Sequence, residues 1–454
     1  MKKKLLTGLF LLVALLALSV SASALTEGDW EFKLLDDQVV LTDYIGAGGD
    51  VVIPDSIFGA PVVKIEKVFS YKDPVTSIVI PDTVKEIADT ACSGLKVLET
   101  VTMGNGVEII GDQAFNNCPM LKSVKLSENL KEVGPGLFEE CVSLKTITLP
   151  ASLEKIGDGG FHFGIFQESG LETIDLSHIT APLGSHMFKE CKNLKSVKLN
   201  PGLTKIPEKI FYDCKALEEI DIPGSVTEIG VAAFSGCSAL KSVILPHSLK
   251  VLQTNAFSNC TALKEVVIPY GTEKVFGAFP NCANLKAIYM PDTVKETNTD
   301  LVYKSDNCII YCTQGSYTAE YCKKRELSYL TDKSVNSLIT VYYNGTRISF
   351  HTYDQNPELI NDRTLVPLRS IFEAMGADVT WDGATSTATS TRDGVTVSIR
   401  IGADSITKNG QKIPVDVPAQ IVNDRTMIPV RVIAEAFGAD VTWNGNGKAV
   451  LIEE

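Results

Sequence analysis

Cysteine and histidine are the side chains of this sequence with most chemistry to offer. The 454 residues include 11 cysteines and five histidines. A few such groups brought together bind zinc, or act as nucleophile and base. His178, His186 and Cys191 come closest to a cluster, but their spacing fits no metal motif. His162, His178 and His186 fall in irregular stretches, where an exposed or core histidine is the simpler expectation. Cys308, Cys312 and Cys322 are irregularly spaced with no evident fourth ligand, which favours core packing or one disulfide over zinc. There is no Gly-x-Ser-x-Gly elbow. Gly46-Ala-Gly-Gly49 lacks a following Gly-Lys-Ser/Thr and reads as a turn, not a phosphate loop. Paired carboxylates are too common in an acidic chain to single any out. These residues predict no catalytic, cofactor or metal site.

The other eight cysteines answer to position instead. Cys118, Cys141, Cys191, Cys214, Cys237, Cys260 and Cys282 each sit in Phe-x-x-Cys-x-x-Leu, and Cys92 fits less well because its unit lacks the Phe. Neighbouring complete units repeat every 22 or 23 residues, as from Cys260 to Cys282 and from Cys118 to Cys141. Ser169 takes the cysteine position of an irregular unit. Each unit also has a short alternating segment, such as Lys122-Ser-Val-Lys-Leu126 or Lys241-Ser-Val-Ile-Leu245, which reads as a strand with one buried face. Proline often follows, as at Pro150, Pro223 and Pro246, and keeps the strand short. One unit cannot bury its own apolar face, but a stack buries a continuous core. In an exported chain, disulfides are the first expectation. Stacked side chains point in parallel, however, and strands about 4.8 Å apart bring them near without aiming them at each other. Free buried thiols, suited to a reducing or anaerobic setting, are favoured.

The repeat resembles the BspA-like leucine-rich repeats of bacterial surface proteins. The segment Leu301 to Leu330 is similar to the closing βα unit of such arrays, and Leu25 to Asp50, with Trp30, Phe32 and Tyr44, reads as an opening cap. The expected fold class is a leucine-rich-repeat solenoid with short parallel strands, followed by a small α+β domain. The expected parts are a signal peptide over 1–24, an N-terminal cap over 25–50, repeats over 51–300, a closing βα cap and linker over 301–332, and a duplicated stalk-like domain over 333–454.

Strand parity sorts residues by face. Ile78 and Ile80, Val101 and Met103, and Val243 and Leu245 point inward, so the alternate residues point outward. One outward column reads Val79, Thr102, Lys125, Thr148, Asp175, Lys198, Asp221, Ile244, Val267, Tyr289. It turns apolar at its C-terminal end. An exposed apolar patch often marks a contact site, which makes Ile244, Val267 and Tyr289, with Tyr270 nearby, the candidate partner-binding residues. Two plainer readings compete. Such residues simply suit strands, or the C-terminal domain covers them.

After Asp332 the composition changes. Asn361-Asp-Arg-Thr-Leu-Val-Pro-Leu-Arg369 recurs as Asn423-Asp-Arg-Thr-Met-Ile-Pro-Val-Arg431, and each leads through a predicted helix to Gly-Ala-Asp-Val-Thr-Trp, ending at Trp381 and Trp443. This pattern resembles the copper amine oxidase N-terminal-like, or stalk, domain. In those enzymes the resemblance implies an accessory region, with copper and the quinone held elsewhere. His351 is the only histidine here, too few for a copper site. Arg369 with Glu373, and Arg431 with Glu435, read as ion pairs one helical turn apart.

Export is expected from Lys2 to Lys4, an apolar run over Leu5 to Val20, and Ala22-Ser-Ala24, the pattern of a signal peptide cleaved after Ala24. Its removal would take the net charge from −13 to −16, with no basic run to meet nucleic acid and no later segment apolar enough to span a bilayer. The expected function is a secreted or surface-associated binding or adhesion protein. Its sheet face would contact a protein or an extracellular-matrix or envelope macromolecule. The alternatives are a structural envelope component without a discrete ligand and, behind it, an extracellular hydrolase, for which no constellation is visible.

Overall fold

Apolar residues two apart, closed off by proline, force short strands, and a 23-residue period stacks them in register. The computed structural model describes residues 25–158, 163–298, 301–348, 350 and 355–454. The expected signal peptide, His162 and His351 lie outside them. The chain divides into two compact units, residues 1–221 with 229–240 and 254–261, and residues 222–228 with 241–253 and 262–454.

The first unit opens with an antiparallel meander, Leu25–Glu27, Trp30–Leu35 and Gln38–Tyr44. Trp30 and Tyr44 (5.1 Å between ring centroids) close on Phe69. The third strand then pairs in parallel with Ala60–Ile65 and starts a ladder through Glu86–Ile87, Ile109–Ile110, Glu132–Val133 and Lys155–Ile156. A second parallel ladder holds Gly49–Val52, Val75–Ile80, Thr100–Met103 and Ser123–Lys125. On a third side the Phe-x-x-Cys turns bond to each other, for example Phe115 N to Leu137 O (3.1 Å) and Asn117 N to Glu139 O (2.8 Å).

Inside, one phenylalanine per turn stacks on the next. From Phe115 through Phe138, Phe166, Phe188, Phe211 and Phe234 to Phe257 the centroids lie 5.1–5.9 Å apart, with ring planes within 21°. The cysteines form a parallel column. All 11 are free and buried. Thiols of the column donate to a carbonyl one turn back: Cys141 to Phe115 O (3.2 Å), Cys191 to Phe166 O (2.9 Å), Cys214 to Phe188 O (3.1 Å) and Cys237 to Phe211 O (3.2 Å). Burial pushes the Cys118 thiol up to about 11 and the Cys191 thiol to about 12. A thiol without its thiolate is neither a nucleophile nor a metal ligand.

The turns need two left-handed residues each. Gln113 and Asn117 lie at φ 53° and 54°, and Lys209 and Asp213 at 50° and 55°. The residue just before the cysteine is Asn, Glu, Asp or Gly (Asn117, Glu140, Glu190, Asp213, Gly236, Asn259) and never β-branched, because that backbone region crowds a branched Cβ.

The second unit has its own parallel ladders, one through Val251–Leu252, Lys274–Val275 and Glu296–Thr297, the other through Glu265–Val267, Ala287–Met290, Ile309–Cys312 and Tyr329–Thr331. Ser305 replaces cysteine and does its work, since its hydroxyl donates to Phe279 O (3.0 Å). The helix Tyr317–Arg325 starts at Ser316, whose side chain accepts from Ala319 N, and ends at left-handed Glu326. Cys312 and Cys322 are buried in this closing segment.

The C-terminal domain is built on its duplication. Arg363–Pro367 pairs antiparallel with Arg425–Pro429 through Val366 opposite Ile428. Each has a hairpin partner, Glu358–Ile360 and Gln420–Val422. The intervening Asn361-Asp362 and Asn423-Asp424 all have positive φ, as a two-residue hairpin turn requires. Helices Leu368–Ala374 and Val430–Ala436 follow, and Ile371, Phe372, Ile433 and Ala434 fill the core between the strands. A five-stranded antiparallel sheet spans Asp378–Asp382 to Gln411–Pro414.

Candidate functional site

The outward strand column meets two environments. In the first unit it is open. Val79 is 41% exposed, and Thr102, Lys125, Thr148, Asp175 and Lys198 are exposed. Beside it runs a column of hydroxyls, Ser77, Thr100, Ser123, Thr146, Thr173 and Ser196, in which Ser77 pairs with Thr100, Thr100 with Ser123, and Thr173 with Ser196. Ion pairs climb along the edge, Lys122 to Glu99 (2.9 Å), and Lys145 and Lys195 both to Glu172 (3.0 and 3.4 Å). Those two lysines, Lys145 first, hold the Glu172 carboxyl below its ordinary range. Exposed pairs of this kind add little stability. They fix a pattern of hydrogen-bonding and charged groups on a flat surface.

In the second unit the same column is covered. The sequence puts Tyr289 on an exposed strand position, whereas in the structure it is 8% exposed. Its ring stacks on Tyr311 (4.8 Å) and lies under the Arg347 guanidinium, 4.2 Å from the ring centroid. Arg347 is itself buried, and its backbone N–H donates to the Glu265 carboxylate. Burial raises the Glu265 carboxyl above its ordinary range and pushes the Tyr289 phenol up to about 12. Val267 packs half-buried against Tyr289 and Val335. Ile244 touches Gly447, where an added Cβ would fall 2.1 Å from Ile244 Cγ2, so only glycine allows that approach. The carbonyl of the neighbouring Asn446 accepts from both His247 N and His247 Nδ1 (2.8 Å each).

The plainer reading, that the C-terminal domain covers these residues, therefore accounts for Tyr289 and Val267. Apolar side chains gather at that end of the column because they are packed. Tyr270 remains 42% exposed and Leu338 59%, at the mouth of a cleft of about 60 Å³ that Ile244, Val267, Tyr342 and Lys448 also line. Ligand pockets for small molecules run to roughly 300–1,000 Å³, so this cleft admits a side chain at most.

The histidine and cysteine candidates do not converge. His178 is exposed with Nε2 2.8 Å from Leu149 O, and the Cys191 thiol goes to Phe166 O. His186 is 2% exposed, with Nδ1 unpartnered and φ at 61°. Among the described residues no three His, Cys, Asp or Glu side chains gather to hold a metal. Two features of the site were not among the expected residues. The hydroxyl column was legible in the aligned strands but drew no attention beside the charged one. Arg347 carried no signal, because nothing local marks an arginine that stacks on a ring 58 residues away.

Comparison with known proteins agrees with the geometry of the turns. The family "BspA type Leucine rich repeat region" matches residues 64–165 and 162–277, in six copies. Residues 64–277 belong to the BspA-type leucine-rich-repeat family. Beyond these repeats, "Copper amine oxidase N-terminal domain" matches residues 342–452. Among solved structures, a leucine-rich repeat protein from Bacteroides capillosus is 30% identical over 34% of this chain and 97% of that one (TM-score 0.23). A leucine rich cell surface protein from Faecalibacterium prausnitzii is 27% identical over 67% and 98% (0.41). The pneumococcal vaccine antigen PcpA is 20% identical over 68% and 99% (0.46). No curated protein matches the chain. Among the described residues of this leucine-rich-repeat protein, no helix is long and apolar enough to cross a membrane.

Proposed function

We propose that this protein is exported and binds a protein partner through the open strand face of its leucine-rich repeats, as an adhesion or binding module and not as an enzyme. The observation that carries the reading is the open face itself. Exposed hydroxyls from Thr100 to Ser196 stand beside exposed Thr102, Lys125, Thr148, Asp175 and Lys198. Such a surface offers many evenly spaced hydrogen-bond groups. Repeat solenoids present extended faces of this kind to partners. Of the residues singled out in the sequence, Ile244 and Tyr270 line the mouth of the cleft, where a partner's apolar side chain could anchor. Tyr289 and Val267 serve the packing of the chain on itself.

The test uses the exported chain, residues 25–454, and measures binding to extracellular-matrix proteins and intact envelopes. A Lys125→Glu, Thr148→Arg double variant on the open face is expected to weaken capture by at least about tenfold, since each change puts bulk or reversed charge at the centre of the contact. Tyr270→Ala should have a smaller effect. Capture that survives the double variant unchanged contradicts the reading.

A further inference from the structure

Four large apolar side chains stand exposed on successive turns of the first unit. Tyr71, Val97, Met120 and Val142 are between 41% and 63% exposed. Backbone bonds put their turns in register. Phe69 N donates to Ala91 O (3.3 Å), Cys92 N to Ala114 O (2.8 Å) and Phe115 N to Leu137 O (3.1 Å), so Phe69, Cys92, Phe115 and Phe138 hold equivalent places. Counted from those places, Val97 and Met120 both stand five residues on, each just before a fully buried leucine, Leu98 or Leu121. Val142 stands four on and Tyr71 two on. Tyr71 lies against the next turn at Gly94, where an added Cβ would come 3.2 Å from Tyr71 Cβ. The strands Thr100–Met103 and Ser123–Lys125 begin three residues after Val97 and Met120. The four side chains therefore make a ridge at the corner between the Phe-x-x-Cys turns and the open strand face.

The same corner is not apolar elsewhere. At the places of Val142 and Met120 later turns carry Lys192 and Asn193, Lys215 and Ala216, or Thr261 and Ala262. Single apolar residues on a surface are ordinary. Large ones kept on consecutive turns and then dropped make a patch, and patches mark contact sites.

Charge narrows what fits there. Lys72 and Lys96 flank the Tyr71 end. Lys72 Nζ lies 5.5 Å from the Tyr71 ring centroid, and Lys96 Nζ donates to Asn117 Oδ1 (2.7 Å). Both are exposed, and among the described residues neither is paired with a carboxylate. The Asp73 carboxylate is turned to Ser70 N (2.7 Å), and Glu99 is taken by Lys122 (2.9 Å). At the other end, Glu140 is exposed beside Val142. Two unpaired ammonium groups beside an apolar ridge favour a ligand that is acidic at one end. An anionic lipid surface would meet a chain of net charge −13 and be repelled.

Spacing narrows it further. Neighbouring parallel turns lie about 4.8 Å apart. An α-helix repeats one face about every 5.4 Å and drifts from the ridge by only about 0.6 Å per turn. An extended strand repeats its face about every 6.8 Å and falls out of step by about 2 Å each time.

We propose that the ridge of Tyr71, Val97, Met120 and Val142 docks an amphipathic helix of a protein partner, apolar at i, i+4 and i+7 and acidic at the end that meets Lys72 and Lys96. This contact goes beyond the strand-face reading and stands or falls separately from it.

The test uses the chain of residues 25–454 and two fluorescein-labelled helical peptides of about 20 residues, both with leucine at i, i+4, i+7 and i+11. One carries glutamates beside its first two leucines, and the other carries lysines at the same places. Fluorescence anisotropy at about 0.15 M salt reads the binding. The acidic helix should bind at micromolar concentration and the basic one at least about tenfold more weakly. The net charge of the chain acting alone would give the opposite order. Met120→Asp and Val97→Lys should each weaken the acidic helix about tenfold. Lys72→Glu with Lys96→Glu should reverse the preference, a result that damaged folding does not give. All these side chains are exposed, so the variants should melt within a few degrees of the parent. Lys125→Glu, Thr148→Arg on the strand face should leave peptide binding unchanged, which separates failure here from failure of the strand-face reading. The proposal is overturned if neither helix binds, if the two bind alike, if the charge-reversed variant keeps the parent's preference, or if the strand-face variant abolishes binding. It is also overturned if the ridge joins two copies of the chain, seen as a dimer in sedimentation equilibrium that Met120→Asp dissolves.

Discussion

Lys125 and Tyr289 occupy the same outward position of the repeat pattern, seven repeats and one change of environment apart. Around Lys125 the column is threonine, lysine and aspartate, and it faces solvent. Around Tyr289 it is valine and tyrosine, and it lies under Arg347 and Val335. Removing apolar surface from water is worth about 25 cal/mol per Å², so a covered position selects for apolar bulk and an open one for solubility. The composition of a strand face thus records what covers it. An apolar stretch on a repeat face is as good a signal for the chain's own next domain as for a foreign partner.

The sharpest way to break the contrast is Arg347→Ala. It uncovers Tyr289 and removes the positive charge that acts on the buried Glu265 carboxyl, while the backbone N–H bond to that carboxylate stays, and loss of such a buried packing and charge contact costs about 1–3 kcal/mol. Denaturant unfolding should show a loss of that order, against less than about 0.5 kcal/mol for Lys125→Ala on the open face. Equal effects would erase the distinction.

Acid should divide the units in opposite directions. Burial raises the Glu265 carboxyl above its ordinary 4.5, so between that value and the raised one the folded chain holds more protons than the unfolded chain. Its contribution to stability grows as pH falls through that window. His186 is the reverse. Burial first, then nearby Lys209, lower it below its ordinary 6.5, while Glu208 and Asp158 oppose them and Lys189 adds to the lowering. Its protonation is easier in the unfolded chain, so stability is lost as pH falls from about 6.5. Unfolding measured between pH 7.5 and 4.5 should lose the first slope in Glu265→Gln and the second in His186→Asn. Asparagine suits the second site because it tolerates the left-handed backbone.

The smallest effect expected is that of Cys214→Ser. Ser305 already makes the bond to the previous turn that the thiols make elsewhere. The serine variant should fall within about 1 kcal/mol of the parent, while Cys214→Ala, which leaves the Phe188 carbonyl without that donor, should cost more.

Much of this was legible beforehand because the repeat states each rule many times. Seven cysteines in one register, with phenylalanine three before and leucine three after, leave few ways to stack. Cys92, expected in the same register, instead takes the phenylalanine place of its turn: its N–H donates to Ala114 O as Phe115 N donates to Leu137 O. The doubled Asn-Asp-Arg-Thr segment likewise announced two equal halves. What stayed hidden depended on contacts between distant parts of the chain. Nothing near Tyr289 says that Arg347 will lie on it, and nothing near Ile244 says that Gly447 will reach it. The left-handed residues before each cysteine were in plain view as Asn, Glu, Asp and Gly. They are missed when apolar periodicity alone is followed, since backbone conformation leaves its mark on the polar positions.

The measurement that bears most directly on the contrast is hydroxyl-radical footprinting of the folded chain, residues 25–454, read residue by residue by mass spectrometry. Tyr289 and Val267 should be protected, while Tyr270 and Val79 should be labelled at rates close to those of unfolded peptides. Rapid labelling of Tyr289 in the folded chain would show an open strand face there and contradict the account.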